Sequence, residues 1–215
     1  MPAVIIGIAV IVLFIIFIVC TDPDRASGKP HYSGSKDKPK LRERVFTPEY
    51  KLAGDYGERF AAQAIRSVLR DDDWLFSNVT IEYDGKLAEL DNVIVNKYGV
   101  FIIEVKNYTG AIIGDENDFE WQKYKTTNAG NTYEKTVRNP IRQVKRQVFI
   151  LARYLEYYGV QVWVNGYAIL LQGNSPVESK YLLSSTGDID RAIHTRGRTV
   201  LSSATVERIA KLLSE

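Results

Sequence analysis

Apolar residues recur along the chain with two different periods, one typical of helices and one typical of strands. Helical spacing covers Gly54–Leu69, the longer segment Asn139–Tyr158 with Pro140 in its first turn, and a terminal helix from about Ser203. Strand patterns cover Leu75–Ile81, Leu87–Val95, Val100–Lys106, Ala111–Ile113, Glu120–Tyr124, Val160–Leu171 and a short segment near Tyr181. Turn signals at Asp84-Gly85 and Tyr98-Gly99 separate the first three, and Asn165-Gly166 is predicted to interrupt Val160–Leu171. This order predicts an α/β domain on a mixed sheet.

The first 20 residues differ from everything that follows. Ala3–Cys20 contains no charged or strongly polar side chain, and at about 1.5 Å of helical rise per residue it reaches the lower end of what spans a membrane. A cleaved signal peptide would carry a basic start and a small-residue cleavage site, and neither is present. Residues 1–20 are therefore predicted to be an uncleaved transmembrane anchor.

A polar, basic linker is predicted at residues 21–46, before a main domain at 47–172 and its C-terminal extension at 173–215. The linker carries an excess of Lys and Arg over Asp and Glu, whereas the short tail before the apolar run carries none. This bias predicts a single-pass membrane protein whose C-terminal domain is cytoplasmic. The basic residues suit a solvated linker best, and attraction to anionic lipid is the alternative.

The residue inventory narrows the possible chemistry. One cysteine, Cys20, excludes an internal disulfide and a cysteine-based zinc site. The two histidines, His31 and His194, leave little material for a His-rich metal site or a Ser-His-Asp triad, and His194 is expected at the surface. Any catalysis must therefore use carboxylates, lysines and backbone groups.

Two neighbouring predicted strands carry charged residues on faces that are otherwise apolar. Period-two alternation places Glu89 and Asp91 on one face that continues through Val93, and it places Glu104 and Lys106 together on the next strand. Carboxylates one strand apart can hold Mg²⁺, whose bound water attacks a phosphodiester while a lysine orients that water or offsets charge. The alternative is a buried ion network with no catalytic role.

The segments GDYGERFAAQAI, AELDNVIVNKYGVFIIEVKNYTG, Trp121 and RNPIRQVKRQ resemble the nuclease-related domain, NERD, over Gly54–Leu171. That family belongs to the PD-(D/E)xK nuclease superfamily. The resemblance implies a restriction-endonuclease-like core with the order α-β-β-β-α-β on a mixed sheet, preceded here by one transmembrane helix.

The resemblance also implies a set of site residues. Asp91 matches the first metal carboxylate, and Glu104 with Lys106 matches the (D/E)xK element. Glu58 and Gln143 match a helical Glu and a helical Gln. The implied catalytic set is therefore these five residues, with Asp91 and Glu104 holding Mg²⁺ or Mn²⁺. Unlike the family pattern, the chain has no proline before Asp91, where Leu90 stands.

Basic residues on the long helix allow two interpretations. Arg142, Lys145 and Arg146 form either an ordinary solvated face or a face that contacts nucleic-acid phosphates. Tyr108 and Trp121 similarly suit packing better than stacking on a base.

The leading hypothesis is a membrane-anchored, divalent-metal-dependent nuclease acting on DNA or RNA at the cytoplasmic side. The first alternative is a nuclease-fold module that binds nucleic acid or a protein partner without cleaving it. The second is a membrane-tethered scaffold with structural carboxylates. The complete set of site residues argues against a pure scaffold, and the net charge of +2 argues against tight non-specific binding to nucleic acid.

Overall fold

The computed structural model describes residues 52–127, 129–197 and 199–214, with side chains from Arg59 onward. The described helices are α1 (Leu52–Arg66), α2 (Pro140–Tyr157), α3 (Thr186–His194) and α4 (Ser203–Ser214). The described strands are β1 (Trp74–Tyr83), β2 (Lys86–Asn96), β3 (Gly99–Lys106), β4 (Ala111–Ile113), β5 (Glu120–Thr126), β6 (Thr132–Arg138), β7 (Val164–Leu170) and β8 (Leu182–Leu183). No helix within these ranges is both long and apolar enough to cross a membrane. The predicted anchor at 1–20 and the linker at 21–46 lie outside the described residues.

The central sheet is mixed, which confirms the predicted class. Its strand order is β1-β2-β3-β7-β8, with antiparallel pairing from β1 to β3 and parallel pairing from β3 to β8. Asp84 and Gly85 join β1 to β2 with φ values of 51° and 69°, as a tight hairpin turn of right-handed twist requires. The return from β3 to the parallel strand β7 includes α2, so that helix crosses one face of the sheet.

Each face of the central sheet has its own apolar core. Helices α2 and α4 pack on one face, where Ile102, Leu151 and Ile209 are buried together. Residues of α1 and α3 pack on the other face, around Phe101 and Ile103. Alternate residues of β3 thus enter opposite cores. Glu104 follows Ile102 by two residues and therefore lies on the same face, the α2 side.

A smaller antiparallel sheet, β4-β5-β6, is inserted between β3 and α2. Trp121 is fully buried at its root, where its indole lies against Gly114, and a Cβ on that glycine would come within 2.1 Å of the ring. The strand pattern of the sequence predicts the β4–β5 hairpin but not β6. Strand β6 is exposed along nearly its whole length, so pairing with β5 stabilises it and no apolar pattern marks it.

The predicted interruption at Asn165-Gly166 is wrong, because β7 runs through both residues. A Cβ at position 166 would lie 2.6 Å from Cγ2 of Val148 and 2.8 Å from Cγ2 of Val144. Glycine here allows α2 to pack directly against the strand, a use of glycine inside strands that local sequence does not distinguish from a turn.

The expectation of a surface position for His194 is also wrong. His194 ends α3 and is buried, with Nε2 2.8 Å from Oδ2 of Asp73 and Nδ1 2.6 Å from Oδ1 of Asp190. Helix α3 was not predicted. It begins after Ser185, whose hydroxyl accepts the N–H of Asp188. One of the two carboxylates that contact the buried ring belongs to Asp73, a residue far away in sequence.

Candidate active site

The site forms where β2 separates from β3. Their ladder extends from the Asn96–Gly99 pair to the Asn92–Ile103 pair and ends there. At the next position Oδ2 of Asp91 accepts the backbone N–H of Val105 at 2.7 Å. The Asp91 carboxylate therefore satisfies an amide at the point where the two strands diverge, and it stays partly exposed.

The strand that carries Asp91 does not alternate regularly, contrary to the prediction. Ala88 and Leu90 pack in the same core as Val93, so the side chains change face by one position near Asp91. On the neighbouring strand β1, Asn78 lies in the same part of the β1–β2 ladder and has a φ of 56°, a left-handed conformation that asparagine tolerates well. Glu89 is exposed and does not share the face of Val93.

Glu104 is the buried centre of the site, with only 1% of its surface exposed. Its Oε1 accepts from Nζ of Lys106 and from Nε2 of Gln143, each at 2.5 Å, and its Oε2 accepts from Nε2 of Gln147 at 2.6 Å. A buried carboxylate requires such donors, because an unpaired charge in this environment is strongly unfavourable. The structure thus brings together Glu104, Lys106 and Gln143 as the resemblance implied.

Gln147 completes this arrangement and was absent from the predicted set. Its Nε2 also donates to the backbone carbonyl of Glu89 at 2.8 Å. Both groups facing Nε2 are acceptors, which fixes the orientation of the amide. The available signal was spacing: Gln147 follows Gln143 by four residues, so both lie on one face of α2. The contacts that bring Gln147 into the site, to the Glu104 carboxylate and to the Glu89 carbonyl beyond the fork, are visible only in three dimensions.

The start of α2 positions these glutamines. Asn139, 1% exposed, accepts the N–H of Ile141 as N-cap, and its amide donates to the carbonyls of Asp115, Glu116 and Asp118. One buried side chain therefore begins the helix and anchors the acidic loop between β4 and β5 to it. The first turn of α2 then places Gln143 over Glu104.

Electrostatics holds Lys106 in its charged form. Burial alone would lower the pKa of Lys106, but the Glu104 carboxylate, with a smaller contribution from Asp91, raises it above the ordinary value. The neighbouring Tyr108 has a raised pKa because burial disfavours its phenolate, an effect that Lys106 reduces. The side chain of Lys106 is 20% exposed, so this residue borders the surface of the site.

The residues present fit a hard divalent cation. The described part of the chain contains no group of three or more His, Cys, Asp and Glu residues suited to a metal, but Mg²⁺ commonly uses one or two carboxylates and keeps several waters. Three donors occupy three of the about four acceptor positions of the Glu104 carboxylate, which leaves one on Oε2. Oε1 of Gln147 is buried without a hydrogen-bond partner among the described residues, so the site has unused oxygen acceptors.

The remaining predicted residues lie elsewhere. Glu58 belongs to α1, but its side chain is outside the described part. Arg142 stacks on the exposed ring of Phe119 at 3.8 Å, and Lys145 forms an ion pair with Glu116 at 3.0 Å. Arg146 donates to the carbonyl of Leu87 at 3.2 Å. All three cations are exposed and engaged within the protein, and their contact with nucleic acid stays a prediction.

Packing, and not base stacking, explains Trp121, which has no exposed surface. Its Nε1 donates to the carbonyl of Asp115 at 2.8 Å. Tyr108 packs beside Trp121 and donates its hydroxyl to the carbonyl of Arg138 at 3.2 Å. Tyr108 thereby connects the inserted sheet to the Lys106 side of the site.

Comparisons with known proteins agree with this geometry. The family described as Nuclease-related domain, NERD, matches residues 53–171, more than half of the chain. An uncharacterized protein of Bacillus anthracis is 32% identical over 73 residues, which cover 33% of this chain and 34% of that protein. The chain thus spans about a third of the length of this relative. No solved structure matches the chain.

Proposed function

Because the chain belongs to the nuclease-related domain family, we propose that it hydrolyses phosphodiester bonds in nucleic acid with a divalent metal at Asp91 and Glu104. The observation that carries this proposal is the buried Glu104 carboxylate, which Lys106, Gln143 and Gln147 hold beside the strand fork at Asp91. The order α1, β1–β3, α2, β7 further supports a restriction-endonuclease-like core.

Catalysis explains the arrangement better than stability does. Apolar residues of similar volume often replace a buried ion pair with no loss of stability. This pair lies at an opening between two strands, where Asp91 and Lys106 are both partly exposed. Such a position suits groups that must meet a substrate, whereas a scaffold would gain nothing from keeping them open to solvent.

The roles of the residues follow from their contacts. Asp91 and Glu104 would hold Mg²⁺ or Mn²⁺, which lowers the pKa of a bound water and stabilises charge on phosphate oxygens. Gln143 and Gln147 hold the Glu104 carboxylate in one orientation. Lys106 keeps its proton, and from its place against Oε1 of Glu104 it offsets negative charge that grows on the phosphate during attack.

The membrane location is part of the same proposal. The apolar run at residues 3–20 supports a single transmembrane anchor, and the basic linker at 21–46 supports a cytoplasmic orientation of the nuclease-like domain. Protease added to intact cells should leave the domain uncut. Digestion from outside would reverse the orientation, and a soluble protein starting after Cys20 would indicate cleavage of the segment.

The direct test is cleavage of DNA and RNA by the full-length protein with Mg²⁺, with Mn²⁺ and with a chelator. We expect metal-dependent cleavage that Glu104→Gln abolishes. The matched control is Glu82→Gln, which makes the same chemical change at an exposed position of β1. A wild-type protein that binds nucleic acid but never cuts it with either metal would identify a non-catalytic binding module, the alternative favoured by the three donors already on Glu104.

A further inference from the structure

The inserted sheet separates its charges by face. In the β5–β6 ladder Trp121 pairs with Val137, Lys123 with Lys135, and Lys125 with Tyr133, and directly paired residues share a face. We define the lysine face as Lys123, Lys125, Lys135 and Tyr133. The opposite face carries Glu134, which accepts from the hydroxyl of Tyr124 at 3.3 Å.

The lysine face places like charges against each other without compensation. Lys123 and Lys135 are directly opposite, an arrangement that destabilises an antiparallel pair. Within the described part of the chain, no hydrogen bond or ion pair reaches the side chains of Lys123, Lys125 or Lys135, and no carboxylate shares their face of β4–β6. An external anion would remove this repulsion.

Protection of a sheet edge does not account for the lysine face. Lysines on edge strands commonly prevent unwanted strand pairing, and Lys135 lies on the edge strand β6. Lys123, however, lies on the central strand β5 where the strand pairs with both β4 and β6, whereas Lys125 lies just beyond the end of β4 and pairs with β6 alone. Edge protection therefore does not explain Lys123, nor the 59% exposed aromatic side chain of Tyr133 on the same face.

The lysine face is connected to the candidate active site. Its base, Trp121 with Val137, packs against Tyr108, which follows Lys106 by two residues and donates its hydroxyl to the carbonyl of Arg138 at the end of β6. A polyanion lying on the lysine face would thus extend toward the site. By contrast, the basic residues of α2 already have partners, such as Glu156 for Arg153 and Glu116 for Lys145.

We propose that the lysine face of the β5–β6 ribbon binds the phosphate backbone of duplex DNA and guides it toward the Glu104–Lys106 site. This inference rests on the proposed function for the choice of ligand. A two-stranded ribbon, with strands about 4.8 Å apart, fits the major groove of B-DNA, which is about 12 Å wide. The lysines contact phosphates without reading sequence.

The test measures binding of the full-length protein to a labelled duplex oligonucleotide of mixed sequence, in chelator so that no cleavage occurs. The ribbon variant is Lys123→Gln with Lys125→Gln and Lys135→Gln. We expect binding about 10- to 100-fold weaker at about 100 mM salt, and a plot of log affinity against log salt flatter by up to about 2.7, at about 0.9 per lost phosphate contact.

Two controls isolate the lysine face. Replacing Arg59, Arg66 and Lys211 with Gln removes three exposed positive charges on α1 and α4 and should leave affinity and slope close to wild type. Replacing the three ribbon lysines with Arg keeps the charge and should retain binding, and it also shows that the ribbon tolerates substitution. Equal affinity and slope for the ribbon variant and the wild type would overturn the proposal.

Other ligands give distinct results. Normal duplex binding by the ribbon variant, together with weaker association with phosphatidylcholine vesicles that contain phosphatidylserine, would overturn the proposal in favour of a membrane surface. Loss of binding to single strands alone would overturn the assignment to duplex. If the ribbon variant loses duplex binding while the wild type never cleaves with any metal, the lysine face stands and the proposed hydrolysis fails.

Discussion

Two buried groups of ionisable side chains lie on opposite faces of the central sheet, and they differ in where they meet solvent. On the α3 face both ring nitrogens of His194 contact carboxylates; the side chains of His194 and Asp73 are 3% and 2% exposed, whereas that of Asp190 is 46% exposed. On the α2 face Glu104 is equally buried, and the side chain of its partner Lys106 is 20% exposed beside the strand fork. The Asp73–His194 pair is therefore the closed cluster, and the Glu104–Lys106 pair, which borders the opening between β2 and β3, is the open one.

The donors also differ between the two clusters. Asp73 contacts Nε2 of His194 and accepts the backbone N–H of Arg70 at 2.7 Å, so local turn geometry helps to hold it. Glu104 receives one charged donor and two neutral amides from a helix. Neutral donors orient a carboxylate without cancelling its charge, which keeps it useful for a cation. We infer that the His194 cluster stabilises the fold and that the Glu104 cluster carries the chemistry.

The largest expected effect is on stability, in the closed cluster. His194→Ala leaves the buried carboxylate of Asp73 without the ring nitrogen that it contacts at 2.8 Å and should lower the free energy of unfolding by about 3 kcal/mol, the upper end for an unsatisfied buried polar group. Thermal or urea unfolding measures this loss, with Asp72→Asn as the control because Asp72 is an exposed neighbour in the same turn. Cleavage per folded molecule should stay unchanged, and a specific loss of cleavage would break the distinction between the clusters.

The next effect is on rate, in the open cluster. Lys106→Ala should reduce metal-dependent cleavage by about two orders of magnitude, the scale for removing one electrostatic stabiliser, with little change in nucleic-acid affinity. Parallel measurements of cleavage rate, DNA binding and melting temperature separate the possibilities. A variant that cuts as fast as wild type would rule out the catalytic role of Lys106. A variant that loses about 3–5 kcal/mol of unfolding free energy but keeps its cleavage rate per folded molecule would indicate a structural ion network.

Removal of Gln147 should have an intermediate effect. Gln147→Leu leaves Oε2 of Glu104 and the carbonyl of Glu89 without this donor, at a cost of about 1–3 kcal/mol in unfolding free energy. Because Gln147 positions Glu104, the affinity for Mg²⁺ should fall as well, and isothermal titration measures this. Gln122→Leu, on the inserted sheet away from Glu104, is the comparison variant. Unchanged metal affinity in Gln147→Leu would make Gln147 purely structural.

The smallest effect concerns alkaline pH. The pKa of Lys106 is raised above its reference value of 10.5, so its charge stabilises the folded state fully below pH 10.5, and this contribution is lost as the pH rises through the raised pKa. The difference in unfolding free energy between wild type and Lys106→Met should therefore shrink above pH 10.5. A difference that stays constant across this range would contradict the charge pairing with Glu104.

Local patterns were enough to predict most of the central fold. The hairpin at Asp84-Gly85, strand β3 and helix α2 follow from turn chemistry, period-two alternation and helical spacing, all of which act within a few residues. The same alternation correctly placed Glu104 and Lys106 on one face. It failed near Asp91, because strand separation and the left-handed Asn78 on the neighbouring strand shift the register of faces, and neither is encoded in β2 itself.

By itself, the sequence determined the α/β class and the elements of the central sheet, since these depend on near neighbours along the chain, and through the family resemblance it indicated the carboxylates and the lysine of the candidate site. Only the tertiary structure decided that Gln147 completes the site, that His194 is buried and that three lysines share one face of an exposed ribbon. Each of these depends on partners distant in sequence, such as Asp73, 121 residues before His194. Contacts of this kind arise when packing brings separate elements together, and no local period records them.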